Sequence, residues 1–150
     1  MPTTARLDER LVAALCRDGR ADIRDIAGEI DTAPTTVQKR LRTLEESGVI
    51  NGYTARIDYG KLGYGTVVFR LGVDIDSVDD VIARLRDREA FVTVYHTGGP
   101  ESVFAIGKFG SEAAVASCLR ELHDDDDVRR IDTNTIVSVR REGCCPIPEP

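Results

Sequence analysis

"PTTVQKRLRTLEESGVI", residues 34–50, decides how this chain reads. Residues 34–44 contain Lys39, Arg40 and Arg42 and no acid, in a chain whose formal net charge is −6. Pro34 suits the first position of a helix, where its missing N–H has no partner to lose. Val37, Leu41 and Leu44 recur at helical spacing and predict a buried stripe, and Gly48 predicts the stop. With Val37 against the core, a step of about 100° per residue turns Thr35, Lys39 and Arg42 outward, flanked by Gln38 and Thr43. Arg40 falls beside the stripe, where its stem packs and its head reaches for a phosphate. Such a face is short, basic and hydrogen-bonding. Arg and Gln suit guanine and adenine edges, and Lys and Thr suit phosphates. A basic helix face that only meets solvent is the plainer reading.

Two segments upstream tip the balance toward DNA. "LDERLVAALCRDG" places Leu7, Leu11, Ala14 and Leu15 on one face, with Gly19 at its end. "DIRDIAGEI" places Ile23, Ile26, Ala27 and Ile30 together behind a capping Asp22. Only "DTA" separates this segment from Pro34. Two short amphipathic helices joined so tightly, with a third behind, form a helix-turn-helix.

Composition agrees with a folded, soluble protein rather than a disordered one. The chain has 150 residues, 41% hydrophobic and 31% charged, enough for two small domains. Nothing in it resembles a membrane span or a signal segment, so a cytoplasmic location is expected. Net acidity excludes a wholly basic nucleic-acid coat and leaves room for a local basic face. Cys16 and Cys118 fall inside helical patterns, while Cys144 and Cys145 are adjacent in the tail. No CxxC occurs and both histidines, His96 and His123, lie far off in sequence, so neither a metal site nor a cofactor is expected. Adjacent cysteines still leave open a cross-link between subunits or a soft metal, and Cys145-Pro146 matches a loose haem-thiolate dipeptide.

After "VINGYTARIDYGKLGYG", a glycine-rich arm and linker over 51–64, the pattern changes. Gly63-Tyr64-Gly65 precedes a strand and not a helix, the wrong context for a phosphate loop. "TVVFRLGVDI" alternates Val67, Phe69, Leu71, Val73 and Ile75 on one side. "SVDDVIARLRDR" buries Val78, Val81, Ile82 and Leu85 behind a cap at Asp76 or Ser77. "FVTVYHT" and "SVFAIGKF" read as strands joined by "GGPE". "SEAAVASCLRELH" buries Val115, Cys118, Leu119 and Leu122. "VRRIDTNTIVSVR" predicts a last strand with Ile131, Thr133, Thr135, Val137 and Val139 on one face. Asp124 to Asp127 read as a solvated loop, since consecutive acids lack the spaced ligands of a calcium loop. The β-α-β-β-α-β order predicts an α+β chain: a helix-turn-helix over 1–50, a ferredoxin-like domain over 65–141 and a flexible tail over 142–150. The sheet face without helices is expected to pair with a second copy.

With these stretches together the chain resembles the leucine-responsive regulator/AsnC, or feast/famine, family. The match runs through "LDERLVAALCRDGRADIRDIAGEI", "PTTVQKRLRTLEESGVINGYTARID" and the split β-α-β, nearly the whole length. The resemblance implies a winged helix-turn-helix and an effector-sensing domain. It implies a homodimer that assembles further, to an octamer, binds double-stranded promoter DNA and answers an amino acid. It places Thr35, Thr36, Gln38, Lys39 and Arg42 on the recognition helix, and Arg40 beside them. It places Gly98, Gly99 and Glu101 at the border of an effector pocket, where the glycine backbone meets a carboxylate and Glu101 an amino group. Two departures stand out. Ala33 replaces the serine common at the start of the recognition helix, and "TGGPESV" replaces a Gly-x-Tyr-Asp hairpin. A catalytic function is not expected, for no Ser, His and acid spacing or phosphate-binding lysine loop occurs. A tetrapyrrole decarboxylase on the same pair of folds would need a histidine-bearing basic pocket.

Overall fold

The computed structural model describes residues 4–143 and 145–147. The chain divides into two compact units. One comprises residues 1–56 with the described residues after 140, and the other residues 57–140. This division places residues 51–56 with the helices and residues 57–64 with the sheet.

The first unit is built on α1 (Thr4–Arg17), α2 (Ile23–Glu29) and α3 (Pro34–Glu46). The Asp22 side chain accepts the Arg24 N–H at 2.7 Å and so caps α2. The turn to α3 is closed by the backbone. Asp31 adopts a left-handed φ of 52°, and the Thr32 N–H reaches the Ala27 carbonyl at 2.9 Å. Gly48, at φ 75°, ends α3 as its position requires. Leu11, Ala14, Ile26, Ala27, Ile30, Val37 and Leu44 form the core, with Leu7, Leu15, Ile23 and Leu41 at its margin. Each fully buried Leu, Ile or Val side chain there contributes about 1.5–3 kcal/mol relative to an exposed one. Residues 51–58, after α3, form no strand.

The second unit is β1 (Gly65–Val73), α4 (Val78–Arg86), β2 (Phe91–His96), β3 (Val103–Phe109), α5 (Glu112–His123) and β4 (Val128–Thr135). All neighbouring strands are antiparallel, in the order β2-β3-β1-β4, the ferredoxin-like arrangement. Val67, Phe69 and Leu71 of β1 pack beneath Val78, Val81 and Leu85 of α4 and Cys118 and Leu122 of α5. The Phe69 and Phe91 rings meet edge to face at 5.2 Å. On the opposite face lie Val68, Arg70, Thr93, Tyr95, Phe104, Ile106, Asp132 and Asn134, half-buried or exposed.

Three expectations need correction. The last strand ends at Thr135, leaving Val137 and Val139 exposed. Its partner β1 begins at Gly65, so pairing runs out at Val67↔Thr135 and a final Ile136 N–H to Thr66 carbonyl bond. Ser77 occupies the cap position of α4 without capping it, because its hydroxyl donates to Asp127 at 2.9 Å. The acid run is also not simply solvated. Asp125 and Asp127 both accept from Arg84, at 2.9 and 2.8 Å. The outer strand β4 carries its own charges, with Arg129 on Asp74 at 2.7 Å and Arg130 on Asp132 at 2.8 Å.

Candidate nucleic-acid interface

On α3, Thr35, Gln38, Lys39, Arg42 and Thr43 are exposed and Thr36 is half-buried, opposite Val37 and Leu44. The side chains of Lys39 and Arg42 hold no hydrogen bond or ion pair among the described residues. The Thr43 hydroxyl donates to the Lys39 carbonyl at 3.0 Å. Arg40 differs. Its Nε donates to Asp8 Oδ1 at 2.8 Å and its Nη2 to Asp8 Oδ2 at 2.5 Å, a bidentate pair between α3 and α1. The Asp8 carboxylate holds the Arg40 guanidinium above its already high range. The sequence leads one to expect Arg40 to extend toward a phosphate. Its half-buried place beside α1 gives it an internal partner instead.

In the second unit the β2–β3 loop closes tightly. The Thr97 N–H reaches the Ser102 carbonyl at 2.8 Å, the Thr97 hydroxyl reaches the Glu101 carbonyl at 2.5 Å, and Gly99 takes a left-handed φ of 94°. Beside it lies a depression of about 340 Å³ lined by Val73, Ile75, Val78, His96, Gly98 and Gly99, among others. Glu101 is not part of that lining. Its carboxylate faces Arg70 at 4.0 Å and Arg130 at 3.9 Å.

Comparison with known proteins gives this geometry its setting. A family profile described as winged helix-turn-helix DNA-binding matches residues 5–51. The transcriptional regulator LrpA of Mycobacterium tuberculosis is 32% identical over 140 residues, covering 90% of this chain and 93% of that protein. The chain belongs to the leucine-responsive regulator/AsnC family. The crystal structure of the leucine response regulatory protein of Mycobacterium tuberculosis is 28% identical and superposes with a TM-score of 0.82, covering 95% of this chain and 98% of that one. A transcriptional regulator from Neisseria meningitidis, solved as an L-Met complex, is 16% identical with a TM-score of 0.81 over 91% of this chain and 92% of that one. It shares the fold.

Membership makes the protein a DNA-binding transcriptional regulator and not an enzyme. The regulator carries an exposed basic face on α3, and the start of that helix and the β2–β3 hairpin are the two places where its sequence departs from the expected pattern. Ala33 provides no side-chain hydrogen bond at the start of α3, and neither Thr32 nor Thr35 replaces it; backbone bonds from the Thr36 and Val37 N–H groups to the Ala33 carbonyl close the first turn. The β2–β3 hairpin brings Gly98 and Gly99 to the depression but turns Glu101 to the sheet.

Two participants were not legible in the regulator's sequence. Asp8 lies 32 positions from Arg40, and no periodicity joins them. Tyr53, which reads as part of a glycine-rich arm, donates its hydroxyl to Glu45 at 2.9 Å; burial and that bond push its pKa up. Among the described residues no three His, Cys, Asp or Glu side chains gather as a metal set, and no helix is long and apolar enough to cross a membrane. Cys144 lies outside the described residues.

Proposed function

We propose that this regulator binds double-stranded promoter DNA as a homodimer, and as a larger assembly up to an octamer, with α3 in the major groove. Thr35, Thr36, Gln38, Lys39 and Arg42 meet the DNA, and Arg40 holds the helix against α1. The observation that carries this is the acid-free outward face of α3, whose Lys39 and Arg42 are unpaired among the described residues. A two-fold dimer reads a near-palindrome with half-sites about one helical turn, or a multiple of it, apart. Changing Lys39 and Arg42 together to alanine should weaken operator binding and lower its salt slope by about one for each phosphate no longer neutralised. Unchanged footprints in that variant would remove α3 from the interface. The cytoplasm, where such DNA lies, is the proposed location.

The second part of the proposal is an amino-acid effector at the β2–β3 loop. The depression beside Gly98 and Gly99 supports it, since glycine lets a ligand carboxylate approach the backbone closely. The amino group is assigned to Glu101, in exchange for its long contacts with Arg70 and Arg130. The L-Met complex of the Neisseria protein concerns a different chain with the same fold, and it motivates the ligand class. Calorimetry of wild type and Glu101→Gln against the twenty amino acids tests this. The variant should fold and bind DNA yet lose the ligand response; equal binding by both proteins takes Glu101 out of the site.

A further inference from the structure

Val37 and Leu44 are the buried residues of α3, and they lie on one stripe. Anchors along a single line hold a helix down but resist its rolling about that line only weakly. A step of about 100° per residue puts Arg40 roughly 50° to one side of the stripe, with Lys39 and Arg42 on the opposite surface. The start of the helix adds little, since Ala33 offers no side-chain cap. Arg40 is the lateral tie. Its Nε and Nη2 bond the two carboxylate oxygens of Asp8 on α1, at 2.8 and 2.5 Å. The two side chains are only 24% and 21% exposed. Two parallel bonds from a rigid fork fix direction as well as distance. They also neutralise one of the three cations of α3 inside the unit.

We propose that Asp8 is a positioning residue for sequence discrimination, fixing the roll of α3 against α1 and withholding Arg40 from the DNA backbone. Asp8 itself touches no base. Base edges are read at hydrogen-bond distance and in a fixed direction, so a small roll of α3 moves Gln38 and Arg42 off their partners. Phosphate contacts carry no sequence information. Arg40 set loose adds one such contact on any sequence, and loss of the tie costs only the contacts that depend on register. Without the Asp8 charge, the right site should be held more weakly and wrong sites more tightly. Asp8 has this role only if α3 meets DNA as proposed above, and it adds to that helix a residue from outside it.

Fluorescence anisotropy of the full-length protein tests it, on two labelled duplexes of equal length over a salt series. One duplex is enriched from a random library by the wild-type protein, and the other is its scrambled sequence. Asp8→Asn keeps the shape of the side chain and removes the charge. It should bind the enriched duplex about tenfold more weakly. It should bind the scrambled duplex more tightly, with a salt slope steeper by about one. Asp8→Asn combined with Arg40→Gln removes the freed charge. Its slope on the scrambled duplex should return to the wild-type value, with the enriched duplex still held weakly. Should Asp8→Asn fold poorly, Arg40→Lys repeats the test, since it keeps the charge and loses the fork. It should move the two duplexes in the same opposite directions. A fall on both duplexes with unchanged slopes makes the pair a structural tie alone and overturns the proposal. So does no change on either duplex, or a shallower slope, which would put Arg40 on a phosphate in the wild type. If the wild type enriches no sequence, α3 is not a reading helix and the role of Asp8 falls with it.

Discussion

Arg40 and Arg42 stand two positions apart on one helix and serve different ends. Rotation by two residues carries Arg40 to the margin of the core, where Asp8 satisfies its guanidinium, and leaves Arg42 facing outward. Periodicity predicts the two directions, since it fixes which face a residue takes. It cannot supply the partner, because Asp8 and Arg40 meet only once α1 and α3 have packed. Ala33 is legible in the same way. The sequence shows a missing hydroxyl at the start of α3, and the structure shows that nothing nearby replaces it. Ala33→Ser should therefore stabilise the protein by about 1 kcal/mol, read as a shift in the denaturant midpoint with unchanged slope. A midpoint that stays in place would mean that the two backbone bonds to the Ala33 carbonyl already close the turn fully.

Among the elements, the helices are more legible than the ends of the strands. Helical stripes such as Ile23, Ile26, Ala27 and Ile30 are written within the element, at its own period. Where a strand ends is decided by its neighbour. Residues 131–139 alternate throughout, yet β4 stops where β1 no longer offers a partner. In β2 the pairing slips between Phe91 and Thr93, an irregularity that alternation alone does not show. The loop before β4 escapes a sequence reading for a related reason, as Arg84 and Ser77 come from a distant part of the chain. These ion pairs make a pH prediction. Arg84, and then the Ser77 hydroxyl, hold Asp127 below its ordinary value of 3.8, and Arg129 does the same for Asp74. A carboxyl lowered by folding stabilises the fold above its unfolded value and ceases to do so as pH falls through the lowered one. Acid should thus loosen the second unit below about pH 3.8, more so at low salt, because the pairs are exposed. Asp127→Asn should flatten that acid limb in circular dichroism; identical limbs in both proteins would count against the ion pair.

At the scale of the whole molecule, charge and apolar surface are both unevenly shared. Residues 1–56 hold nine Lys or Arg and nine Asp or Glu, so the entire excess of −6 lies beyond them. The DNA-reading unit is neutral within an acidic chain, which answers how such a chain keeps a basic helix. Phe104, Ile106 and Tyr95 lie on the sheet face away from α4 and α5, with the Tyr95 and Phe104 rings stacked at 6.2 Å. The homodimer proposed above is expected to form through this face. Ile106→Asp in the full chain should shift light scattering to the mass of one chain and weaken operator binding, while helix content is kept. A variant that remains dimeric would place the interface elsewhere. The outer strand β4 completes the account. Arg129, Arg130 and Asp132 lie along its first half, Arg129 tied to Asp74 and the other two to one another. An open strand is a template on which further copies grow without limit. Charges fixed along β4 discourage such stacking, so the proposed assembly through the sheet face is expected to close in countable numbers and resist passing into fibres when concentrated.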